Sequence, residues 1–299
     1  MEHNKNIENL GLKEINRIPF QMLHLERFLH PDFCIIYNVN PEVRRIMIKE
    51  YPYRMTEGRL MFLRQGHARA RINLKEIEIE APAVVIISPE TIAQVLSMSD
   101  DAKGSIVVFT NEFIGEIRHE QLVQKFINGM LSLPLHLSDK DFACIGQFFA
   151  TIWSVVQTYG LQRDVLQSLL QALLQELFVL VKRQFQEEVK RQSRQEQLFN
   201  QFISLVNQYA RTERNVSFYA DKLYLTPRYL NSVVKQASHR TVMDWVNDSV
   251  ILEAKVMLKY GDKLVYQVSD ELNFPNVSFF CKFFKRHTGM TPQAYQKSK

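Results

Sequence analysis

The feature that most constrains this 299-residue chain is a short helical pattern that occurs twice in its last third. In each copy, a short apolar helix is followed by a turn and by a second helix with one apolar and one polar face. The second helix of the later copy carries Phe280 and Phe284 on one face and Lys282 and Lys285 on the other. Two short helices of this kind are typical of a helix-turn-helix motif, which places its second helix in the major groove of DNA.

The earlier copy is less regular, but the same elements are present. Residues 218–223 are predicted to form its first helix, and Thr226-Pro227 is a cap followed by proline at the first helical position. An amphipathic segment at 241–260 lies between the copies, and 20 helical residues span about 30 Å. Because one turn of B-DNA spans about 34 Å, such a linker helix would allow two recognition helices to enter neighbouring major grooves.

The outward side chains at the start of each second helix are the candidate base contacts. Arginine suits guanine and asparagine suits adenine, whereas Val277 and Phe279 would either touch a thymine methyl group or pack. The candidates for base contacts are Arg228, Asn231, Ser232, Asn276, Val277, Ser278, Phe279 and Lys282. The candidates for phosphate contacts are Thr226, Lys235, Lys285 and Arg286. The side chains assigned to the core are Phe280, Phe283, Phe284, Trp245 and Leu258.

The C-terminal segment 197–299 resembles the DNA-binding domain of the AraC/XylS family of bacterial transcription regulators. The most specific part is the string from Ser278 to Tyr295, with a paired aromatic, Phe-Lys, Gly289, a small residue, Pro292 and tyrosine. The family usually has glycine at the turn where this chain has Tyr224 or Asn273. The resemblance implies sequence-specific DNA binding by an all-α domain with two helix-turn-helix motifs joined by a linker helix.

The distribution of charge agrees with this interpretation. The whole chain has a net charge of +5, and the segment from Thr212 onward contains 13 basic and 8 acidic residues. The excess positive charge therefore lies in the part of the chain with the two helical pairs. A basic module is expected to bind phosphate groups.

The composition places the chain in a reducing compartment. The three cysteines, Cys34, Cys144 and Cys281, are far apart and form no C-x-x-C pair, which argues against disulfides and a thiolate zinc site. The polar N-terminus has no signal-peptide core, and no uninterrupted run reaches the ~18 apolar residues that span a bilayer. The sequence therefore predicts a cytoplasmic protein without a membrane partner.

Residues 33–109 show a different pattern, with short apolar or alternating runs separated by turn residues. The runs fall at 34–39, 60–63, 68–72, 77–79, 84–87, 92–96 and 105–109. Several short strands at this spacing predict a small β-barrel or sandwich. In layout and position this resembles the cupin-like sensor domain that often precedes the family's DNA-binding domain.

Helices are predicted over about 110–181. A broad apolar stripe begins near Arg163, and it either packs onto the barrel or pairs with a second copy of the chain in a homodimer. The stripe comprises Val165, Leu166, Leu169, Leu170, Leu173, Leu174, Leu177, Phe178 and Val181. The polar segment 182–196 is predicted to link this sensor and dimerisation domain, 1–181, to the DNA-binding domain.

The sequence contains no recognisable catalytic site. His67 has no partner histidine nearby, and no phosphate-binding, nucleophile or zinc-protease motif occurs, so neither a metal nor a cofactor is expected. Arg64, Arg69 and Arg71 are candidates for binding an anionic effector if they face inward. The outward orientation is favoured for them, because charged residues are seldom buried without a partner.

Together these patterns predict an α+β chain that acts as a transcription regulator and is not an enzyme. Its predicted partners are double-stranded DNA, a small-molecule effector, RNA polymerase and a second copy of the chain. Two alternatives remain at this point, namely a barrel enzyme with an accessory DNA-binding domain and an architectural DNA-binding protein.

Overall fold

The computed structural model describes residues 12, 26–39, 43–44, 47–48, 51–114, 132–191, 193–260 and 263–298. The chain divides into two compact units, Met1–Phe185 and Gln186–Lys299. The first unit contains the strands and the second contains only helices among its described residues. The predicted α+β class is therefore confirmed, whereas the exact limits of the predicted linker at 182–196 stay a prediction.

Ten strands are described in the first unit, and they form two antiparallel sheets. They are β1 Arg27–Leu29, β2 Phe33–Ile36, β3 Tyr53–Arg54, β4 Gly58–Gln65, β5 His67–Ile72, β6 Lys75–Glu80, β7 Ala83–Ile87, β8 Ile92–Met98, β9 Lys103–Phe109 and β10 Leu133–His136. The six-stranded sheet has the order β1-β2-β9-β4-β7-β10 and the four-stranded sheet has the order β3-β8-β5-β6. Each of the seven predicted runs overlaps one of these strands.

The six-stranded sheet is apolar on both faces. Along β4, Leu60 and Phe62 belong to the core cluster that includes the helices, whereas Arg59 and Met61 face the four-stranded sheet. This alternation follows from the two-residue period of a strand, which sends successive side chains to opposite faces. The sheet is therefore the middle layer of the unit, between the helices and the second sheet.

Three helices of the first unit are described: α1 Asn111–Ile114, α2 Asp139–Tyr159 and α3 Arg163–Arg191. Two of them match the predicted helical region, although the prediction missed β10, which pairs with β7. A strand of four residues is too short to show a clear period before the long helix that follows it. Most of the helix predicted at 112–128 lies outside the described residues.

The apolar stripe of α3 packs inside its own unit. Leu166, Leu170, Leu173, Leu174 and Phe178 are completely buried in the core cluster. The sheet and α2 already cover most of this stripe, so the argument that it needs a second copy of the chain as a partner is wrong. Dimerisation itself stays a prediction.

The segment Arg163–Gln184 of α3 is also long and apolar enough to cross a membrane, by length and composition alone. Six of the seven leucines of this segment are buried in the unit's core, as a core helix requires.

The second unit is a bundle of seven described helices after the end of α3. They are α4 Arg194–Tyr209, α5 Val216–Lys222, α6 Pro227–Ser238, α7 Val242–Tyr260, α8 Val265–Glu271, α9 Val277–Thr288 and α10 Pro292–Lys297. The predicted linker helix is α7, and the predicted recognition helices are α6 and α9. Short helices of this kind gain most of their stability from packing, and each of α6 and α9 buries an apolar stripe.

Candidate nucleic-acid interface and interior cavity

The two helix-turn-helix motifs share the same backbone turn. After α5, Tyr224 has a φ of 57°, and after α8, Asn273 has a φ of 54°, so both lie in the left-handed region. In both turns the amide two residues after the helix donates to a carbonyl within the last turn of the helix. The turn therefore forms without the glycine that is usual in the family. Tyr224 bears the higher conformational cost, since asparagine enters this region more readily.

Both recognition helices begin with a side-chain cap. The hydroxyl of Thr226 accepts a hydrogen bond from the Tyr229 amide at 3.2 Å, and the side-chain oxygen of Asn276 accepts one from the Phe279 amide at 3.0 Å. Each cap satisfies one of the free amides of the first helical turn. Thr226 and Asn276 therefore have a structural role in addition to their predicted role in DNA contact.

The Asn276 cap leads to a stability prediction. Replacing Asn276 with alanine is expected to destabilise the second unit by about 1 kcal/mol, because a first-turn amide loses its acceptor. Asn276→Ser keeps an acceptor and is expected to stay within a few tenths of a kcal/mol of the wild type. Urea unfolding followed by the fluorescence of Trp245, in chains that carry Trp153→Phe, measures both. Equal losses in the two variants would show that the cap contributes no stability.

The first turns of both recognition helices are accessible. Arg228, Ser232 and Lys235 are exposed on α6. Exposed side chains on α9 are Ser278, Phe279, Lys282, Lys285 and Arg286, whereas Val277 is half-buried. Phe279 is 60% exposed although it lies beside the fully buried Phe280. A surface with arginine, lysine, serine and an exposed aromatic ring can contact both base edges and phosphates.

Asn231 differs from the other candidates. Its amide nitrogen donates to the Pro227 carbonyl at 3.2 Å, and its amide oxygen accepts from the Val242 amide at 3.3 Å. Asn231 therefore connects the recognition helix to the start of α7. A bidentate contact with adenine would require both bonds to break, so the structure favours a positioning role.

Most of the side chains that the sequence assigned to the core are buried in the second unit. Phe280, Phe284 and Leu258 are buried, and Phe284 packs edge-on against Tyr295 with ring centres 5.5 Å apart. Phe283 and Trp245 are half-buried.

Sequence reasoning missed the contacts of the segment 211–214. Arg214 and Arg211, between α4 and α5, contact the end of α8 and the turn before the second recognition helix. These partners are about 60 residues apart along the chain, so no local pattern indicates them.

The first unit contains an apolar cavity of about 90 Å³ between its two sheets. Four methionines line it, namely Met47, Met55, Met61 and Met98, together with small residues of β5 and β8. Three polar side chains also reach its wall: Tyr53, Arg59 and Gln94. Arg59 is 6% exposed and its Nη2 lies 3.6 Å from Glu57 Oε2.

The three arginines named as candidates for binding an effector do not line this cavity. Arg69 is exposed, and Arg71 forms an ion pair with Glu76 on the neighbouring strand. Arg64 donates to Ser105 Oγ at 2.6 Å. On β5, the side chains that face the cavity are those that alternate with the arginines, Ala68, Ala70 and Ile72. The inward orientation of Arg69 and Arg71 is therefore wrong, because the strand's two-residue period places alanine inward.

Among the residues that the structure describes, no three His, Cys, Asp or Glu side chains come close enough together to hold a metal ion. All three cysteines are free thiols. Burial raises the pKa of Cys34 to about 12, although the nearby Arg59 and Arg27 act in the opposite direction.

The fold of the second unit and its two exposed recognition helices define a double helix-turn-helix DNA-binding domain. The model of the family described as "Helix-turn-helix domain" matches residues 219–298, so this part of the chain is similar to that family. The resemblance to AraC/XylS regulators is thereby confirmed for the C-terminal segment.

Curated relatives match the same part of the chain. Regulatory protein PocR of Salmonella typhimurium is 31% identical over 78 residues, which are 26% of this chain and 26% of PocR. Regulatory protein SoxS of Escherichia coli is 20% identical over 101 residues, which are 34% of this chain and 94% of SoxS. The match thus spans only about a quarter of the length of PocR.

A solved structure aligns over more of the chain. The crystal structure of ToxT from Vibrio cholerae covers 89% of this chain and 98% of its own, at 14% identity and a TM-score of 0.36. A TM-score of this size does not support a shared architecture, so the fold is described from the strands and helices of this chain alone.

Proposed function

We propose that this chain is a sequence-specific transcription regulator that binds double-stranded DNA through both recognition helices. The observation that carries the proposal is the pair of capped helices α6 and α9, each with exposed polar and basic side chains on its first turns. The match to the helix-turn-helix family supports it. Since its target is chromosomal DNA, we expect the protein in the cytoplasm, where RNA polymerase is a further candidate partner.

Selection of bound sequences from random duplexes, with the full chain at physiological salt, tests this proposal. We expect a motif with two elements about one helical turn apart. Retention of DNA without any motif, together with a steep salt dependence, would instead identify an architectural DNA-binding protein. No retention of any duplex would contradict the proposal.

The cavity supports the second part of the proposal, an effector site in the first unit. Its volume is smaller than the roughly 150 Å³ that holds benzene in an engineered cavity, but its methionines can rearrange to admit a larger ligand. Its wall is apolar except for Tyr53, Arg59 and Gln94. We infer that the effector is a small, mostly apolar molecule with one polar or acidic group that faces Arg59.

Cavity variants provide a prediction for this site. Ala70→Leu is expected to fill the cavity and to abolish the rise in Tm that a matching ligand causes, because bound ligand stabilises the folded state. Arg69→Ala, whose side chain lies on the outer face of the same strand, is the matched control and should keep the rise. Thermal unfolding of the full chains with butyrate, benzoate or phenol measures this. Loss of the rise in Arg69→Ala alone would place the site on the outer face.

If none of the three probes shifts the Tm of the wild type, this ligand class is wrong. The proposal for DNA binding would not be affected, since the selection experiment tests it without any effector.

A further inference from the structure

The segment 211–214 is anchored in the first helix-turn-helix motif. The hydroxyl of Tyr219 donates to the Glu213 carbonyl at 2.7 Å. Tyr219 is completely buried, and its ring packs edge-on against Phe202 of α4 with centres 5.8 Å apart. Because the anchoring side chain belongs to the core of the first motif, the segment moves with that motif.

Arg214 extends from this segment to the second motif. Its guanidinium donates to the carbonyls of Leu272 and Asn273, the latter at 3.4 Å. These carbonyls lie at the end of α8, where a helix has acceptors without helical partners and a partial negative charge. Burial lowers the pKa of Arg214, but a guanidinium stays charged at neutral pH. Arg214 is therefore a C-terminal cap for a helix of the other motif.

The guanidinium of Arg214 also contacts the ring of Phe274, which in turn packs against the second recognition helix. It lies 3.8 Å from the ring centre of Phe274. Phe274 packs against Phe280 and Phe283 of α9, with ring centres 5.2 Å apart in both pairs. The position of α9 is thus coupled to Arg214 through a stack of side chains.

Further polar contacts connect the segment 211–214 to the end of α8 and the turn that follows it. Arg211 Nη2 lies 2.9 Å from Glu271 Oε2, which Lys263 Nζ also contacts at 2.6 Å. The side-chain amide of Asn273 donates to the Thr212 carbonyl at 3.3 Å. Exposed ion pairs contribute little individually. The half-buried Arg214, with two acceptors and a stacked ring, is the main contact.

We propose that the segment 211–214 is a positioning clamp that fixes the distance and angle between α6 and α9. The two motifs then read DNA as one rigid unit with a single allowed spacing between their half-sites. This inference rests on the proposed DNA-binding function. A change of one base pair moves the second half-site by about 3.4 Å and rotates it by about 35°, which a clamped pair of motifs cannot follow.

The test uses the full chain and the two-element duplex recovered from the random selection. One base pair is inserted or removed between the elements, and affinity is measured by fluorescence anisotropy. For the wild type we expect each change to reduce affinity by about tenfold or more, at least the effect of one mismatched base pair. For Arg214→Ala we expect the reduction to be about threefold or less, because the second motif can then follow the shifted site.

Four comparisons distinguish a clamp from a general loss of structure. Arg214→Lys retains the charge but not the planar fork or the stacking, so its spacing preference should be intermediate. Arg194→Ala removes an exposed arginine of α4 and should keep the wild-type preference. A duplex that contains only the first element should bind the wild type and Arg214→Ala equally well. Phe274→Leu, which removes the stacked ring, should act in the same direction as Arg214→Ala.

Two results would overturn the clamp while the proposed function stands. One is a wild type that binds the duplexes with altered spacing as tightly as the selected duplex. The other is an unchanged spacing preference in both Arg214→Ala and Phe274→Leu. A selection that returns no motif would overturn the proposed function and the clamp together.

Discussion

Replacing Phe280 with alanine is expected to destabilise the second unit by about 3–5 kcal/mol, the usual loss for a buried phenylalanine. Its side chain is completely buried on α9 and packs against both Phe274 and Phe284. Domains are usually stabilised by about 5–15 kcal/mol, so a domain at the lower end of this range would be partly unfolded after such a loss. Urea unfolding of the full chain measures the change through Trp245, with Trp153→Phe as the background, because the chain has only two tryptophans.

The neighbouring phenylalanine is the matched control. Phe279 is 60% exposed, so Phe279→Ala should change the stability by no more than about 0.5 kcal/mol. If Phe279 contacts a thymine methyl group, the same variant should bind the selected duplex more weakly while it stays folded. Equal destabilisation by the two substitutions would show that α9 packs with a different face than the structure has.

The second large effect is expected in DNA recognition. Replacing Arg228 with alanine should weaken binding to the selected duplex by about 1–3 kcal/mol and relax base preference at one position. Arg228 is exposed on the first turn of α6, where a guanidinium can donate two hydrogen bonds to guanine. Repeating the random selection with the variant shows which position loses its preference.

Lys235→Ala distinguishes this effect from a general loss of charge. Lys235 is exposed near the end of the same helix, where a phosphate contact is expected. Its removal should weaken binding about equally for all sequences and reduce the slope of log K against log salt by about one. An Arg228→Ala variant that behaves in the same way as Lys235→Ala would remove Arg228 from the base-reading set.

Much of the second unit follows from local sequence. Thr226-Pro227 and Asn276 mark the starts of α6 and α9, and the apolar period identifies which faces are buried. These signals act over three or four residues, within the range of one helical turn. For this reason the helices, their caps and the helix-turn-helix class were predictable without coordinates.

The first unit was less predictable in its details. Alternation along β5 indicates that either its arginines or Ala68 and Ala70 face inward, and sequence favoured the arginines outward. The apolar stripe of α3 was compatible with both internal packing and a dimer. The stripe packs internally because strands that are far away in the sequence bury it.

The amino-acid sequence by itself therefore determined the helix-turn-helix class and most of the residues exposed on each recognition helix. The tertiary structure alone decided that Asn231 bonds to α7, that Arg59 reaches the cavity, and that Arg214 caps a helix 58 residues away. The physical reason is the separation along the chain of the residues that interact. Helix periods and caps depend on neighbours within one turn, whereas these contacts form between segments that only the packed fold brings together.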